Sequence, residues 1–187
     1  MLNKKEFRNI RKTLENNEKY REILIQDSRK TIQLSKKIIY SLHRNDLKTA
    51  EKDILEIKKY FNKTVKSKIE LELARVARQE YVEALAYYDF VKHKKVPGPK
   101  ELGVDEESYL SGLCDFTGEL VRKAVNDVIK KKYEEVIRIN YLIEQIYWEF
   151  LHLNLRNGEL RKKSDAIKWN LNKLEDMVFS LNLNSRI

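Results

Sequence analysis

Residues 81–91 read Y-V-E-A-L-A-Y-Y-D-F-V, and residues 109–121 read Y-L-S-G-L-C-D-F-T-G-E-L-V. Both stretches are apolar on nearly every side of a helix, which predicts two helices that are buried by their neighbours. The whole chain of 187 residues has only 5 Gly and 2 Pro, whereas sheet proteins need turn residues at short intervals. The sequence therefore predicts an all-α protein, organised as a helical bundle.

Breaks between the apolar segments predict five long helices in a single domain covering residues 1–187. Asn45-Asp46 separates the first helix from the second, which we expect to bend near residues 62–64. A loop at residues 93–106 contains both prolines, and Asn157-Gly158 precedes the last helix. The predicted helices span about 4–44, 46–92, 105–129, 133–155 and 159–182.

Cys114 is the only cysteine, so the chain forms no internal disulfide and no thiolate zinc site. We interpret it as a small core residue. The lone thiol and a charged N-terminus, which leads into no apolar run of signal length, predict a cytoplasmic protein. No stretch approaches 18 uninterrupted apolar residues, so we expect no membrane-spanning segment and no membrane partner.

The positive charge of the chain lies in its N-terminal third. Residues 1–70 contain 19 Lys or Arg and 10 Asp or Glu, whereas residues 71–187 contain 19 of each, so the first segment accounts for the formal charge of +9. Such an uneven balance suits a phosphate backbone, an anionic membrane surface or an acidic partner. A soluble, lysine-rich helix surface is the alternative explanation.

On the first helix, cationic side chains recur every three or four residues beside an apolar stripe. This spacing places them on one face over about four turns, together with a tyrosine ring on which a base could stack. We call this set the cationic band and predict that it binds RNA. Its members are Arg29, Lys30, Lys36, Lys37, Tyr40, His43 and Arg44.

Two acidic pairs lie within the apolar stretches quoted above. Glu80 and Glu83 are three residues apart, and neither has a Lys or Arg three or four positions away. Asp115 and Glu119 are four residues apart, and only Glu119 has cations within one turn. Carboxylates at these spacings repel each other, and burying them unpaired is strongly unfavourable. These pairs therefore need partners from elsewhere in the fold.

Convergence of the four carboxylates on a divalent cation would explain both pairs. Oxygen-only ligands suit Mg²⁺, or Mn²⁺ as a substitute, rather than zinc. Small residues would let the two helices approach closely; they are Ser111, Gly112, Thr117 and Gly118. Spacing alone leaves open two salt-bridged surface pairs. A di-iron bundle is disfavoured, because Glu149-x-x-His152 is its only Glu-x-x-His unit and two are needed.

The same stretches resemble the translin and translin-associated factor X family. Q-E-Y-V-E-A-L at residues 79–85 and Y-D-F-V-K at residues 88–92 are similar to the catalytic helix of the X subunit. Y-L-S-G-L at residues 109–113 and D-F-T-G-E-L at residues 115–120 resemble the signature that both proteins share. L-N-L-R-N at residues 153–157 is similar to the translin C-terminal region. The similarity covers nearly the whole chain.

This resemblance implies an all-α subunit that assembles into a closed, barrel-like homo-oligomer, with an octamer favoured and RNA handled inside. It also implies a Mg²⁺-dependent endoribonuclease that cleaves single-stranded RNA through a metal-activated water and leaves a 5′-phosphate. Glu80, Glu83 and Asp115 would bind the ion directly, and Glu119 would be a fourth ligand or would orient the water. All four are thus predicted as catalytic and metal-binding residues.

Translin itself lacks the acidic residues at the positions matching Glu80 and Glu83, and it is mainly a nucleic-acid-binding scaffold. This chain has both carboxylates and so resembles the active subunit at the site and translin near the C-terminus. The loop at residues 93–106 is shorter than in the X subunit, so the resemblance implies no partner-specific role for it. The alternatives are a non-catalytic protein that binds single-stranded RNA or DNA, and a helical scaffold without nucleic acid.

Overall fold

The computed structural model of the chain describes residues 2–65 and 72–183, and these ranges contain helices and no strand. The predicted all-α class is confirmed. None of the described helices is long and apolar enough to cross a membrane. In chain order the described helices are α1 (Lys4–His43), α2 (Leu47–Val65), α3 (Glu72–His93), α4 (Pro99–Leu102), α5 (Glu106–Ile129), α6 (Tyr133–Leu151) and α7 (Glu159–Leu183).

Helix α1 has an exposed half and a packed half. It begins where the Asn3 side chain accepts hydrogen bonds from the backbone N–H groups of Lys5 and Glu6, at 3.1 and 3.4 Å, as an N-cap does. Every side chain from residue 2 to residue 23 is exposed. From Leu24 onward the predicted apolar stripe packs against α2 and α3. Only this second half can place side chains against the rest of the bundle.

The predicted second helix covers α2 and α3 of the structure. Residues 66–71, which the prediction included, lie outside the described residues. Helix α2 continues through residues 62–64 to Val65, and the bend expected there stays a prediction. Phe61 and Thr64 hold the segment helical: both are buried, and the Thr64 hydroxyl donates a 2.7 Å hydrogen bond to the Phe61 carbonyl oxygen.

Helix α6 ends four residues before the predicted boundary at Leu155. The backbone N–H groups of His152 and Leu153 donate to carbonyl oxygens three residues back, which tightens the chain into a turn.

The loop after α3 contains the short helix α4, which the sequence pattern did not predict. Pro99 is its first residue, where no N–H is needed, and Gly103 ends it at φ +68°, in the left-handed region that glycine favours.

Helices α3 and α5 form the centre of the bundle. α3 packs against α1, α2 and α5, and α5 also packs against α6 and α7. Tyr87, Phe90 and Phe116 are fully buried between them, and the Phe90 and Phe116 rings meet edge to face with centroids 6.2 Å apart. The prediction that the two most apolar stretches are buried helices is confirmed.

Candidate active site

Helices α3 and α5 come closest at Gly112. A Cβ atom at this position would lie 2.6 Å from both the Gln79 carbonyl oxygen and the Val82 Cβ, so any larger residue would push the helices apart. At Gly118 a Cβ atom would meet only the Asn170 side chain, at 3.9 Å. The predicted close approach is therefore confirmed at Gly112 and wrong at Gly118. It brings both acidic pairs into electrostatic contact. We call these side chains the carboxylate cluster: Glu80, Glu83, Asp115 and Glu119.

Glu83 is the most strongly perturbed member of the cluster. Burial has the largest effect, and together with the negative charges of the other three carboxylates it raises the pKa of Glu83 to about 8. Lys163 opposes this shift only weakly. Within the described residues, no hydrogen bond or ion pair reaches Glu83. A carboxyl group in this environment keeps its proton near neutral pH unless a cation reaches it.

Glu80 lies at the edge of the cluster, with 23% of its side chain exposed. Lys36 on α1 places its Nζ 3.7 Å from Glu80 Oε1. Burial raises the pKa of Glu80, although the charge of Lys36 opposes the shift. Both carboxylates contributed by α3 thus bind protons more tightly than an exposed glutamate does.

Asp115 is paired with a lysine from α7. The Lys163 ammonium donates one hydrogen bond to the Asp115 carboxylate and another, of 3.3 Å, to Gln79 Oε1. The pair lines a cavity of about 380 Å³ whose wall also includes Glu80 and Arg75. The cation that Asp115 lacks within its own helix is therefore supplied from a residue 48 positions later in the chain.

Glu119 belongs to a chain of hydrogen-bonding groups. Its Oε2 lies 2.5 Å from His43 Nε2, and the Tyr87 hydroxyl oxygen lies 3.0 Å from His43 Nδ1. Arg122 approaches the same carboxylate to 3.6 Å. Burial acts to raise the pKa of Glu119, but the hydrogen bond and charge of His43, assisted by Arg122, lower it overall. Near neutral pH, Glu119 is therefore ionised, whereas Glu83 is protonated.

The cationic band separates into two rows in the structure. Arg29, Lys36 and His43 form the first row, spaced by seven residues, and the last two contact the carboxylate cluster. Arg29 is exposed. His43 was predicted to lie on the exposed band, and this placement is wrong: only 6% of its side chain is exposed, because its row faces α3 and α5.

The second row of the band faces α2. Lys30 Nζ lies 3.6 Å from Glu56 Oε1, and Lys37 Nζ lies 3.6 Å from Asp53 Oδ2. Asp53 is buried, with 4% exposure, so Lys37 partly neutralises a buried charge. These two lysines have structural partners and are less available to a ligand than the sequence suggested.

Tyr40 and Arg44 end the band on an exposed surface. The Arg44 guanidinium donates a 3.1 Å hydrogen bond to the Tyr40 hydroxyl and lies 5.5 Å from the ring centroid. Tyr40 is 56% exposed. An exposed ring beside a guanidinium is the combination on which nucleic-acid bases stack.

Whether the carboxylate cluster fits a metal ion depends on the ligand atoms that its side chains offer. Among residues 2–65 and 72–183, no three acidic, histidine or cysteine side chains are arranged to hold an ion as they stand. Asp115 and Glu119 are engaged with Lys163 and His43 instead. The residues nevertheless fit a hard divalent cation, because the four carboxylates offer only oxygen ligands and no described cation forms an ion pair with Glu83. The Mg²⁺ site stays a prediction.

Two other candidates have structural explanations. Cys114 is 3% exposed, and burial raises its pKa to about 12, so it is a core thiol rather than a reactive thiolate. His152 and Glu149 are both exposed. His152 places its Nδ1 2.8 Å from the Trp148 carbonyl oxygen of its own helix.

Two side chains of the site were not predicted. Lys163 is on α7, so no spacing pattern within α5 reveals that it pairs with Asp115. Tyr87 follows Glu83 by four residues, and its position in an apolar run indicates only burial. Its hydroxyl contact with His43 depends on how α1 lies across α3. Both contacts are products of helix packing.

Comparison with known proteins identifies relatives of this chain. The chain is 39% identical to translin of Gallus gallus over 80 residues, which are 43% of this chain and 35% of that protein. The chain thus matches about a third of the length of the vertebrate translins. It is 25% identical to the translin-associated protein X homolog of Schizosaccharomyces pombe over 203 aligned positions, covering 94% of this chain and 86% of that protein.

The fold has a counterpart among solved structures. Apo-NeC3PO superposes with a TM-score of 0.87 at 32% identity, over 96% of this chain and 97% of that chain. The sequence profile of the Translin family matches residues 19–185, which include every member of the carboxylate cluster and of the cationic band. The chain therefore belongs to the Translin family.

Proposed function

We propose that this chain is a Mg²⁺-dependent endoribonuclease that cleaves single-stranded RNA. The observation that supports this most is Glu83, a buried carboxyl group beside three others and without a cation among the described residues. Strongly perturbed groups that face one another in this way are typical of functional sites. When bound, magnesium supplies an activated water and offsets negative charge on the phosphodiester.

Each carboxylate has a role that follows from its surroundings. Glu80, Glu83 and Asp115 would hold the ion, because they surround the position where a cation is most needed. Glu119 is fixed by His43, which Tyr87 holds in turn. An ionised carboxylate held in place can accept a hydrogen bond from the attacking water and orient it. We therefore assign Glu119 to the water rather than to the ion.

RNA would reach the cluster along α1. Arg29 and Lys36 lie on the row that ends at the carboxylates, and the Tyr40–Arg44 surface is adjacent to it. Cations along this path would contact successive phosphates, while Tyr40 would stack on a base. The same surface could take single-stranded DNA, since these contacts do not involve the ribose 2′-hydroxyl.

A homo-oligomer is proposed for the assembly, with an octamer favoured. Large apolar side chains are exposed on the first half of α1 and on the outer faces of α6 and α7, and such side chains are usual at subunit interfaces. They include Phe7, Ile10, Leu14, Trp148, Trp169 and Phe179.

The second candidate function is binding of single-stranded nucleic acid without cleavage. It is favoured by the pairing already present at the cluster, where Lys163 contacts Asp115 and His43 contacts Glu119 without a metal. In that case the cationic band would be the functional site, and the carboxylates would stabilise the packing of α1, α5 and α7.

A cleavage assay distinguishes the two functions. Wild-type protein should cut a labelled single-stranded RNA with Mg²⁺ and not with EDTA, leaving 5′-phosphate and 3′-hydroxyl ends. Glu80→Ala should abolish cleavage while RNA binding persists, and the exposed Glu149→Ala serves as the matched control. Cleavage by Glu80→Ala at the wild-type rate, or 2′,3′-cyclic phosphate ends, would rule out the proposed site.

The RNA path is tested through cations that form no ion pair with a carboxylate in the described part of the chain. Lys37 is unsuitable, because its removal would leave Asp53 buried and unpaired. Arg29→Ala combined with Arg44→Ala should weaken RNA binding and reduce the slope of log affinity against log salt by about 1 to 2. Lys48→Ala combined with Lys52→Ala on α2 removes the same charge and should leave the slope unchanged. Equal effects of the two double variants would place the RNA elsewhere.

A further inference from the structure

Lys163 takes the place beside Asp115 that a bound cation would need. It reaches from α7 across to α5, and its ammonium is held by the Asp115 carboxylate and by Gln79 Oε1 at 3.3 Å. Its positive charge also reaches Glu80 and Glu83, since it lowers the pKa of both against the larger effect of burial. One lysine thus acts electrostatically on three of the four carboxylates.

An ion and this ammonium exclude each other for two reasons. The Asp115 oxygen that Lys163 contacts would have to turn to the ion, and a divalent cation would repel an ammonium a few ångströms away. Lys163 is free to move, because 34% of its side chain is exposed and it lines the open cavity of about 380 Å³. A long, flexible lysine side chain can withdraw into that space without any backbone change.

We propose that Lys163 is a built-in competitor of the metal ion for Asp115, an inference that rests on the proposed metal site. Without an ion, Lys163 neutralises Asp115 and stabilises the packing of α7 against α5. When an ion binds, Lys163 leaves Asp115 and stays in the cavity, where Arg75 is the other cation on the wall. The lysine therefore lowers the affinity for the ion and prevents the carboxylates from repelling one another in its absence.

The test is Mn²⁺ binding by the full chain, measured by isothermal titration calorimetry without RNA. Lys163→Met keeps the length of the side chain and removes its charge, and it should bind Mn²⁺ about tenfold more tightly than wild type, equivalent to about 1.4 kcal/mol. Lys162→Met is the matched control, because Lys162 is exposed and pairs with Glu159 at 3.0 Å. It removes one charge from the same helix and should leave the affinity unchanged.

The outcomes separate this inference from the proposed function. If wild type binds Mn²⁺ and Lys163→Met binds it no more tightly than Lys162→Met, the competition is disproved and the metal site stands. If none of the three proteins binds Mn²⁺, both the metal site and the competition are disproved. Loss of the tighter binding in Lys163→Met combined with Glu83→Gln would show that the ion lies in the carboxylate cluster.

A second measurement on wild-type protein avoids any folding defect of the variant. Acetylation of individual lysines, followed by mass spectrometry, reports how accessible each ammonium is. Lys163 should be protected in EDTA and become several-fold more reactive with Mn²⁺, whereas Lys162 should react equally in both. Unchanged protection of Lys163 at saturating Mn²⁺ would contradict its displacement.

Discussion

Helices α3 and α5 each contribute one acidic pair to the carboxylate cluster. The two pairs have similar spacing but different electrostatic surroundings. The α3 pair, Glu80 and Glu83, binds protons more tightly than exposed glutamates do, and the pKa of Glu83 reaches about 8. On α5, Asp115 is paired with Lys163, and the pKa of Glu119 is lowered by His43 and Arg122 despite burial. Both members of the α5 pair thus have close partners from other helices. On α3, Glu80 has Lys36 at 3.7 Å, and Glu83 has no ion-pair partner among the described residues.

In the proposed metal site, this difference would let the fold be stable without the ion and still bind it. If all four carboxylates lacked partners, the repulsion among them would oppose the close packing of α3 against α5. If all four had partners, no cation would be attracted. Pairing on α5 stabilises the packing, and Glu83, which has no ion-pair partner among the described residues, would supply the affinity for the ion. Variants on both helices test this division, in order of decreasing expected effect.

Gly112→Ala should disrupt the close packing of α3 against α5, which brings the two acidic pairs together. A Cβ atom at this position would lie 2.6 Å from the Gln79 carbonyl oxygen and from the Val82 Cβ, and a backbone atom cannot move aside cheaply. We expect a loss of about 3 kcal/mol in the free energy of unfolding, typical of overpacking in a core, together with loss of Mn²⁺ binding. Urea denaturation and calorimetry measure the two effects.

Gly118→Ala is the matched control for this variant. A Cβ atom there would make one ordinary contact, at 3.9 Å with Asn170, and alanine is the better helix former by about 1 kcal/mol. The control should therefore be at least as stable as wild type and bind Mn²⁺ normally. Equal stability of the two alanine variants would mean that α3 and α5 are not held together at Gly112.

Glu83→Gln should stabilise the metal-free protein at alkaline pH. In the unfolded chain Glu83 loses its proton near pH 4.5, whereas in the folded chain it keeps the proton until about pH 8. Between these values the folded state binds more protons, so the stability due to Glu83 falls as the pH rises from about 4.5 and is fully lost once the pH has passed about 8. Glutamine does not titrate, and we expect a gain of roughly 2 kcal/mol at pH 8.5 in EDTA.

Magnesium should reverse this ranking. At pH 8.5 the ion should raise the melting temperature of wild type and leave that of Glu83→Gln nearly unchanged, because the variant lacks a charged ligand. The exposed Glu149→Gln serves as control and should follow wild type under both conditions. A Glu83→Gln protein that is less stable than wild type in EDTA at pH 8.5 would show that Glu83 is not an unneutralised charge.

Glu119→Gln should have the smaller effect and the opposite sign. The pKa of Glu119 is lowered in the folded state, so its contribution to stability is present at neutral pH and is lost as the pH falls through that lowered pKa. We expect a loss of about 1 kcal/mol at pH 7, consistent with one charge-assisted hydrogen bond at a partly buried site. Wild type and variant should converge in acid. A stabilising effect at pH 7 would remove the distinction between the two helices.

Much of the architecture was visible in the pattern of apolar residues. The uninterrupted apolar runs at 81–91 and 109–121 predicted the two central helices. The predicted starts near residues 4 and 105 agree with α1 and α5, which Asn3 and Asp105 cap in the structure. The end of the fourth helix, predicted at residue 155, was wrong, because α6 ends at Leu151. This end depends on turn contacts that a local pattern does not contain.

The site was predicted less completely than the fold. Spacing identified four carboxylates in apolar stretches, three of them without a local cation, and it correctly indicated that a small residue would allow close approach. Spacing did not distinguish Gly112 from Gly118, because the role of a glycine in packing depends on the atoms that lie against it. It also placed His43 among exposed cations, although the row of α1 that includes His43 turns toward α3 and α5.

By itself, the sequence determined the helical class, the charge of the N-terminal segment and the positions of four acidic residues in apolar surroundings. These properties are local, since they depend on residue type and on spacing along one helix. Only the tertiary structure decided which carboxylates are neutralised. Lys163 and His43 reach the cluster from α7 and α1, across 48 and 76 positions of the chain. Electrostatic interactions depend on distance in space, which the order of residues does not contain.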